Sequence, residues 1–86
     1  MPTISVFYGI VVAMFFNDHD PPHFHARYAE YRARVAISTG DLLDGDLPPR
    51  ASRLVKEWSE LHRQDLEEDW RLAQELEPLK QIEPLP

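Results

Sequence analysis

Apolar residues recur with a period of two between Thr3 and Ser38, and at spacings of three and four between Ala51 and Leu76. The period changes once, inside GDLLDGDLPPR at residues 40–50. A period of two sends alternate side chains to opposite faces of a strand, whereas spacings of three and four stripe one side of a helix. The chain therefore reads as α+β. A small antiparallel sheet of three to five strands, built from N-terminal hairpins, is packed by one long C-terminal helix or two. Eighty-six residues make a single domain. Its β-rich half is 1–47, its helical half 48–77, and 78–86 is a tail or a short edge strand.

Thr3 to Tyr8 reads as the first strand, with Tyr8-Gly9 as its reversal. Ile10 to Phe16 is apolar on both faces, as expected of a strand that is central or covered by a partner. The HDPP stretch then forces a turn, because proline fixes φ and cannot donate to a ladder. His23–Tyr28 and Tyr31–Ser38 form a second hairpin if Ala29-Glu30 is its two-residue loop. That register places Phe24, Ala26, Tyr28, Tyr31, Ala33, Val35 and Ile37 on one face. It places His23, His25, Arg27, Arg32, Arg34 and Ala36 on the other. STGDLLDGDL has room for one further short strand.

In the helical half, Asp46 is the expected N-cap, with Pro48-Pro49 in the first turn. Positions 51, 54, 55, 58, 61, 66, 70, 73 and 76 form the apolar stripe, interrupted between 61 and 66. Two helices meeting near His62–Asp65, with Asp65 as a second cap, fit a mean helix length of about 11–12 residues better than one long helix does. Trp58 and Trp70 are read as core and DLEEDW as a solvated acidic face. Asp41, Asp44 and Asp46 are read as turn and capping residues, since DLLDGD lacks the EF-hand spacing.

The charge excludes some functions and leaves others. Residues 1–40 balance Arg27, Arg32 and Arg34 against Asp18, Asp20 and Glu30, so the net −6 lies wholly in residues 41–86. Such a chain is a poor general binder of nucleic acid, but a local basic face in the first half escapes that objection. Without cysteine there is neither a disulfide framework nor a thiolate metal site, which suits a reducing cytoplasm. The longest apolar run, Ile10–Phe16, is far too short to span a bilayer, and MPTISVFYG does not read as a signal peptide. A soluble cytoplasmic protein is expected, with no membrane association and with room for homo-oligomers.

NDHDPPHFHARY, residues 17–28, holds three of the four histidines. Three functional readings apply to it. His19, His23 and His25 are ligand types that zinc or a similar divalent ion prefers, although H-x3-H-x-H spacing is permissive rather than diagnostic. Alternatively, His23 and His25 share acid–base work on a phosphodiester while Arg27, Arg32 and Arg34 hold the phosphate, with no cofactor needed. Thirdly, the face docks a partner protein, since interfaces favour arginine and aromatics such as Tyr28. The plainest alternative is a hairpin whose histidines only cap or stack on the turn. His62, on the buried side of its helix, is expected to be a boundary residue apart from the cluster.

MPTIS-FYGI, DHDPPHFHARYAEY, GDLP, W-ELH and LKQIEPL, in that order, resemble a small, mostly bacterial family of unknown function, number 4160 in its series. The D-H-x-P-P-H-F-H motif carries most of the likeness, through His19, Pro21, Pro22, His23 and His25, with Trp58 and His62 further on. The resemblance implies a single-domain protein, often encoded beside another short protein in a toxin–antitoxin-like pair. It supplies no catalytic residues, and Arg32 and Arg34 are not part of its pattern. Residues and resemblance together lead to two expectations. One is a metal-independent ribonuclease acting through His23, His25 and Arg27, with Arg32, Arg34 and Tyr28 binding RNA. The other is a non-catalytic module that docks a small partner protein or binds metal.

Overall fold

The computed structural model describes residues 2–86. Five strands, β1 (Thr3–Phe7), β2 (Ile10–Ala13), β3 (His23–Tyr28), β4 (Tyr31–Ala36) and β5 (Leu42–Gly45), form one antiparallel sheet in sequential order. Two helices follow, α1 (Pro49–Leu61) and α2 (Arg63–Gln74). The α+β architecture is as expected, with the strand count at the upper end.

Tyr8 and Gly9 both have positive φ, 51° and 79°, which matches the right-handed twist of a tight hairpin. The second hairpin takes the expected register, Tyr28 opposite Tyr31, Ala26 opposite Ala33 and His25 opposite Arg34. Ala29 adopts φ 53° in its loop. Hence Phe24, Ala26, Ala33 and Val35 face the core with Ile4, Phe7, Ile10, Val12 and Met14. Trp58 of α1 is fully buried among them, with ring centroids 5.2 Å from Phe7 and 5.6 Å from Phe24. β2 is paired on both edges, but it ends at Ala13, and its second face is not covered by the helices. There Val6 is 54% exposed and Val11 half-buried. No helix among the described residues is long and apolar enough to cross a membrane.

Several local expectations are corrected. Asp46 does not cap α1. The cap position is Pro48, without a side-chain bond, and Pro49 supplies the pre-set φ of the first turn. The helices part at His62 (φ −119°, ψ 27°), which is the cap position of α2, and Asp65 lies within its first turn. Leu61, the last residue of α1, and Leu76, which follows the end of α2 at φ 60°, point outward, 64% and 67% exposed. The tail forms no strand, because Pro78, Pro84 and Pro86 cannot donate. It still lies along β1. The Ile82 amide donates to Ile4 O at 2.8 Å, the Trp58 indole donates to Glu83 O at 2.8 Å, and Ile82 and Leu85 are buried.

DLEEDW is not wholly solvated either. Asp69 falls between Leu66 and Ala73 on the inward side of α2 and is fully buried. One carboxylate oxygen accepts the Lys80 amide at 2.9 Å where the tail doubles back, and the other has no partner among the described residues. Burial pushes this carboxyl above the usual range, against the opposing pull of the Lys80 amide and ammonium. Its folded pKa thus exceeds its unfolded one, so its contribution to stability is full below about pH 4 and is lost as pH rises through the folded value. Urea titrations should therefore show the stability of Asp69→Asn relative to wild type improving from pH 4 to pH 7. A difference that does not change with pH contradicts the burial argument.

Candidate functional site

The loop joining β2 to β3 is shaped by the end of α2. Asn17, at φ 55°, donates its amide to Ala73 O at 3.1 Å, and the Gln74 side-chain amide donates to Asp18 O at 3.1 Å. These bonds turn the Asp18 carboxylate toward the start of β3. Alternation along β3 sends His23, His25 and Arg27 to the sheet face opposite the core. The sequence places two imidazoles together, and the helix brings a carboxylate to them.

Asp18 Oδ2 lies 3.0 Å from His23 Nε2 and 3.2 Å from His25 Nε2, while Oδ1 accepts the His19 amide at 2.9 Å. His23 is 1% exposed, with Trp70 packed against it at 5.3 Å between centroids. Its Nδ1 is 2.7 Å from Pro21 O. A carbonyl only accepts, so Nδ1 carries the hydrogen. A neutral His23 therefore aims its Nε2 lone pair at a carboxylate oxygen. That arrangement is favourable when the ring is doubly protonated or when a cation lies between the two. His25 is half-buried and stands edge-on to Phe15 at 4.4 Å.

Burial tends to raise the Asp18 carboxyl, but the His19 amide, the His25 hydrogen bond and the nearby His23 outweigh it and hold it below the ordinary value. Burial lowers His25, aided by the charges of His23 and Arg34, and the hydrogen bond to Asp18 only partly offsets this. His25 opens onto a cleft of about 190 Å³ floored by Val11, Ala13 and Phe15 and walled by Arg27, Arg32 and Arg34. Arg34 is tied to Asp44 through Nε at 2.9–3.0 Å and through Nη2. Arg27 and Arg32 are directly opposite one another across β3–β4, both exposed, with no acidic partner among the described residues.

One member of the expected ligand set stands elsewhere, and one expected binding residue, on the face its register gave it, lies away from the cleft. His19 is exposed and stands apart, and the group of possible ligand atoms within 4.8 Å of one another is Asp18, His23 and His25. The carboxylate takes the place given to His19 because the loop presents alternate residues in different directions. Tyr28 lies on the core side of the hairpin, near Gly9 and Arg50, away from the cleft. His62 remains beside Trp58 and Asp65, apart from the cluster as expected. Phe15 and Asp44 escaped the sequence reading. Phe15 sat in an apolar run, and Asp44 needed the β4–β5 register to meet Arg34.

A family model described as "Domain of unknown function (DUF4160)" matches residues 9–71, a span that includes Asp18, His23, His25 and the cleft arginines but stops short of Ala73 and Gln74, which anchor the loop. No curated protein matches the chain. No solved structure matches it either.

The signs of the two shifts agree. His25 is lowered on folding, so the unfolded chain takes up its proton first and stability falls as pH drops below about 6.5. Asp18 is also lowered, so its contribution holds above about pH 3.8 and is lost further into acid. In metal-free buffer, His25→Gln should lose less stability between pH 7 and pH 5 than wild type in paired denaturation curves. An equal loss in both proteins contradicts the role given to His25.

Proposed function

We propose that this chain, which belongs to the DUF4160 family, binds single-stranded RNA on the open face of its sheet and cleaves it at the histidine end of the cleft. The observation that carries this reading is the pair Arg27 and Arg32, opposed across two strands without acidic partners among the described residues. Like charges in that position are unfavourable, and an anion bridging them reverses the sign of their interaction. A phosphodiester offers two free oxygens that two guanidinium forks can share, and Phe15 and Val11 offer an apolar floor for the sugar or base. Arg34 is neutralised by Asp44, so it contributes to the wall more than to the clamp.

His23 is too enclosed to exchange protons with a substrate, so the chemistry is assigned to the Asp18–His25 end of the cleft. This recasts the two-histidine scheme and leaves Tyr28 out of the binding set. The family resemblance supports a role in the cytoplasm as one member of a toxin–antitoxin-like pair, with the companion protein controlling access to the open face.

Fluorescence anisotropy with a short labelled RNA tests the clamp. Arg27→Ala and Arg32→Ala should each weaken binding about tenfold, the worth of a charged hydrogen bond. The double variant should lower the slope of log affinity against log salt by about 0.7, the one phosphate that the pair shares on a single strand. His25→Ala should bind but not cleave. Wild-type affinity in the double variant overturns the reading.

A further inference from the structure

We propose that Asp18, His23 and His25 hold one divalent ion of the zinc class at the inner end of the cleft. The separations of 3.0 and 3.2 Å between the carboxylate oxygen and the two Nε2 atoms are those of neighbouring ligands about 2.0–2.2 Å from a shared ion. Two imidazoles and one carboxylate are a donor set that divalent transition ions and zinc accept, and it leaves coordination positions open.

The surroundings of His23 make the argument more specific. Ligating histidines characteristically donate their second ring N–H to a backbone carbonyl or carboxylate, which fixes the tautomer and aims the other nitrogen at the metal. His23 does this through Nδ1–H to Pro21 O at 2.7 Å, in a ring that is 1% exposed. In the neutral ring its Nε2 lone pair is directed at the Asp18 oxygen, an arrangement relieved by a second proton or by a cation between the two, and with a cation Nε2 is a ligand. His25 is oriented by its edge-on contact with Phe15. Asp18 is oriented by the His19 amide on its other oxygen and by the bonds from Asn17 and Gln74 that anchor its loop. All three ligands are thus held before any ion arrives, which reduces the ordering cost of binding.

The charge around the site is also favourable. Arg34, the guanidinium opposite His25, is paired with Asp44, so its charge is compensated, while the unpaired Arg32 lies two residues further along β4, opposite Arg27. The enclosed side of the site is His23 under Trp70, and the open side is His25 facing the cleft. The free coordination position therefore points where the proposed phosphodiester lies, and there the ion holds a water or a phosphate oxygen. This deepens the RNA reading by naming its cofactor and rests on it only for that last point. With the ion bound, His25 serves as a ligand, and cleavage depends on metal.

The test uses untagged full-length protein, stripped with chelator and titrated calorimetrically with zinc alone, with elemental analysis of the dialysed complex. One ion per chain is expected. Asp18→Asn and His25→Ala should weaken binding at least about a hundredfold, beyond the usual cost of losing a group that only orients a ligand. His19→Ala should bind as wild type does. His23→Ala should lose the ion too, and if it fails to fold, the Asp18 and His25 variants decide. Absence of a saturable site, undiminished binding in those two variants, or loss of binding in His19→Ala overturns the inference. RNA anisotropy in chelator separates the two proposals. Zinc binding without RNA binding overturns only the RNA reading, and RNA cleavage in chelator by a chain that takes up no zinc overturns only the metal site.

Discussion

One carboxylate oxygen, Asp18 Oδ2, stands within hydrogen-bond reach of two imidazole nitrogens, and the arrangement of the site depends on it. Such an oxygen is held there only if its loop is held. The last turn of α2 does so through the Ala73 carbonyl and the Gln74 side chain. The helical half of the chain therefore has two tasks. It covers the core face of the sheet with Trp58, Val55 and Leu66, and its far end sets the conformation of a loop more than fifty residues earlier in sequence. A change in α2 that moves Gln74 will be felt at the histidines before it is felt in the core.

The two faces of the sheet are unlike for a reason of charge as well as packing. The core face carries the apolar half of each strand, and the open face carries His25, Arg27, Arg32 and Arg34 over a small apolar floor. The acidic excess of the molecule lies entirely in residues 41–86, half of it in Asp41, Asp44 and Asp46 around β5 and half on the helices and the tail. Where an acidic residue does reach the open face, Asp44 on β5, it neutralises Arg34 and leaves Arg27 and Arg32 uncompensated among the described residues. The surface thus combines a locally cationic cleft with a globally anionic chain, which favours a short, specific anionic ligand over general attachment to polyanions.

Much of this was legible in the sequence wherever the deciding interaction was local. The Tyr28–Tyr31 register followed from alternation and a two-residue loop, and with it the shared face of His23, His25 and the arginines. The interruption after Leu61 marked the helix break, although the exposure of Leu61 at the end of α1 and of Leu76 beyond α2 was not readable from spacing alone. What alternation could not supply was anything set by distant backbone. Asp18 rather than His19 joins the histidines because of bonds to α2, and His23 is enclosed because Trp70 arrives from the same helix. Asp69 hid within an acidic run because its partner, the Lys80 amide, exists only once the chain has turned at Pro78. Asp46 had the right side chain for a cap, but the helix begins later, at Pro49.

His23 is a pre-aimed ligand, with its hydrogen on Nδ1 and its Nε2 directed at the point it shares with Asp18 and His25. Long-range proton–nitrogen NMR of the four imidazoles reports this directly. One equivalent of zinc should leave the His23 hydrogen on Nδ1 and shift Nε2 of both His23 and His25, while His19 and His62 stay unmoved. A neutral His23 carrying its hydrogen on Nε2, or zinc-induced shifts at His19 in place of His23, would contradict it.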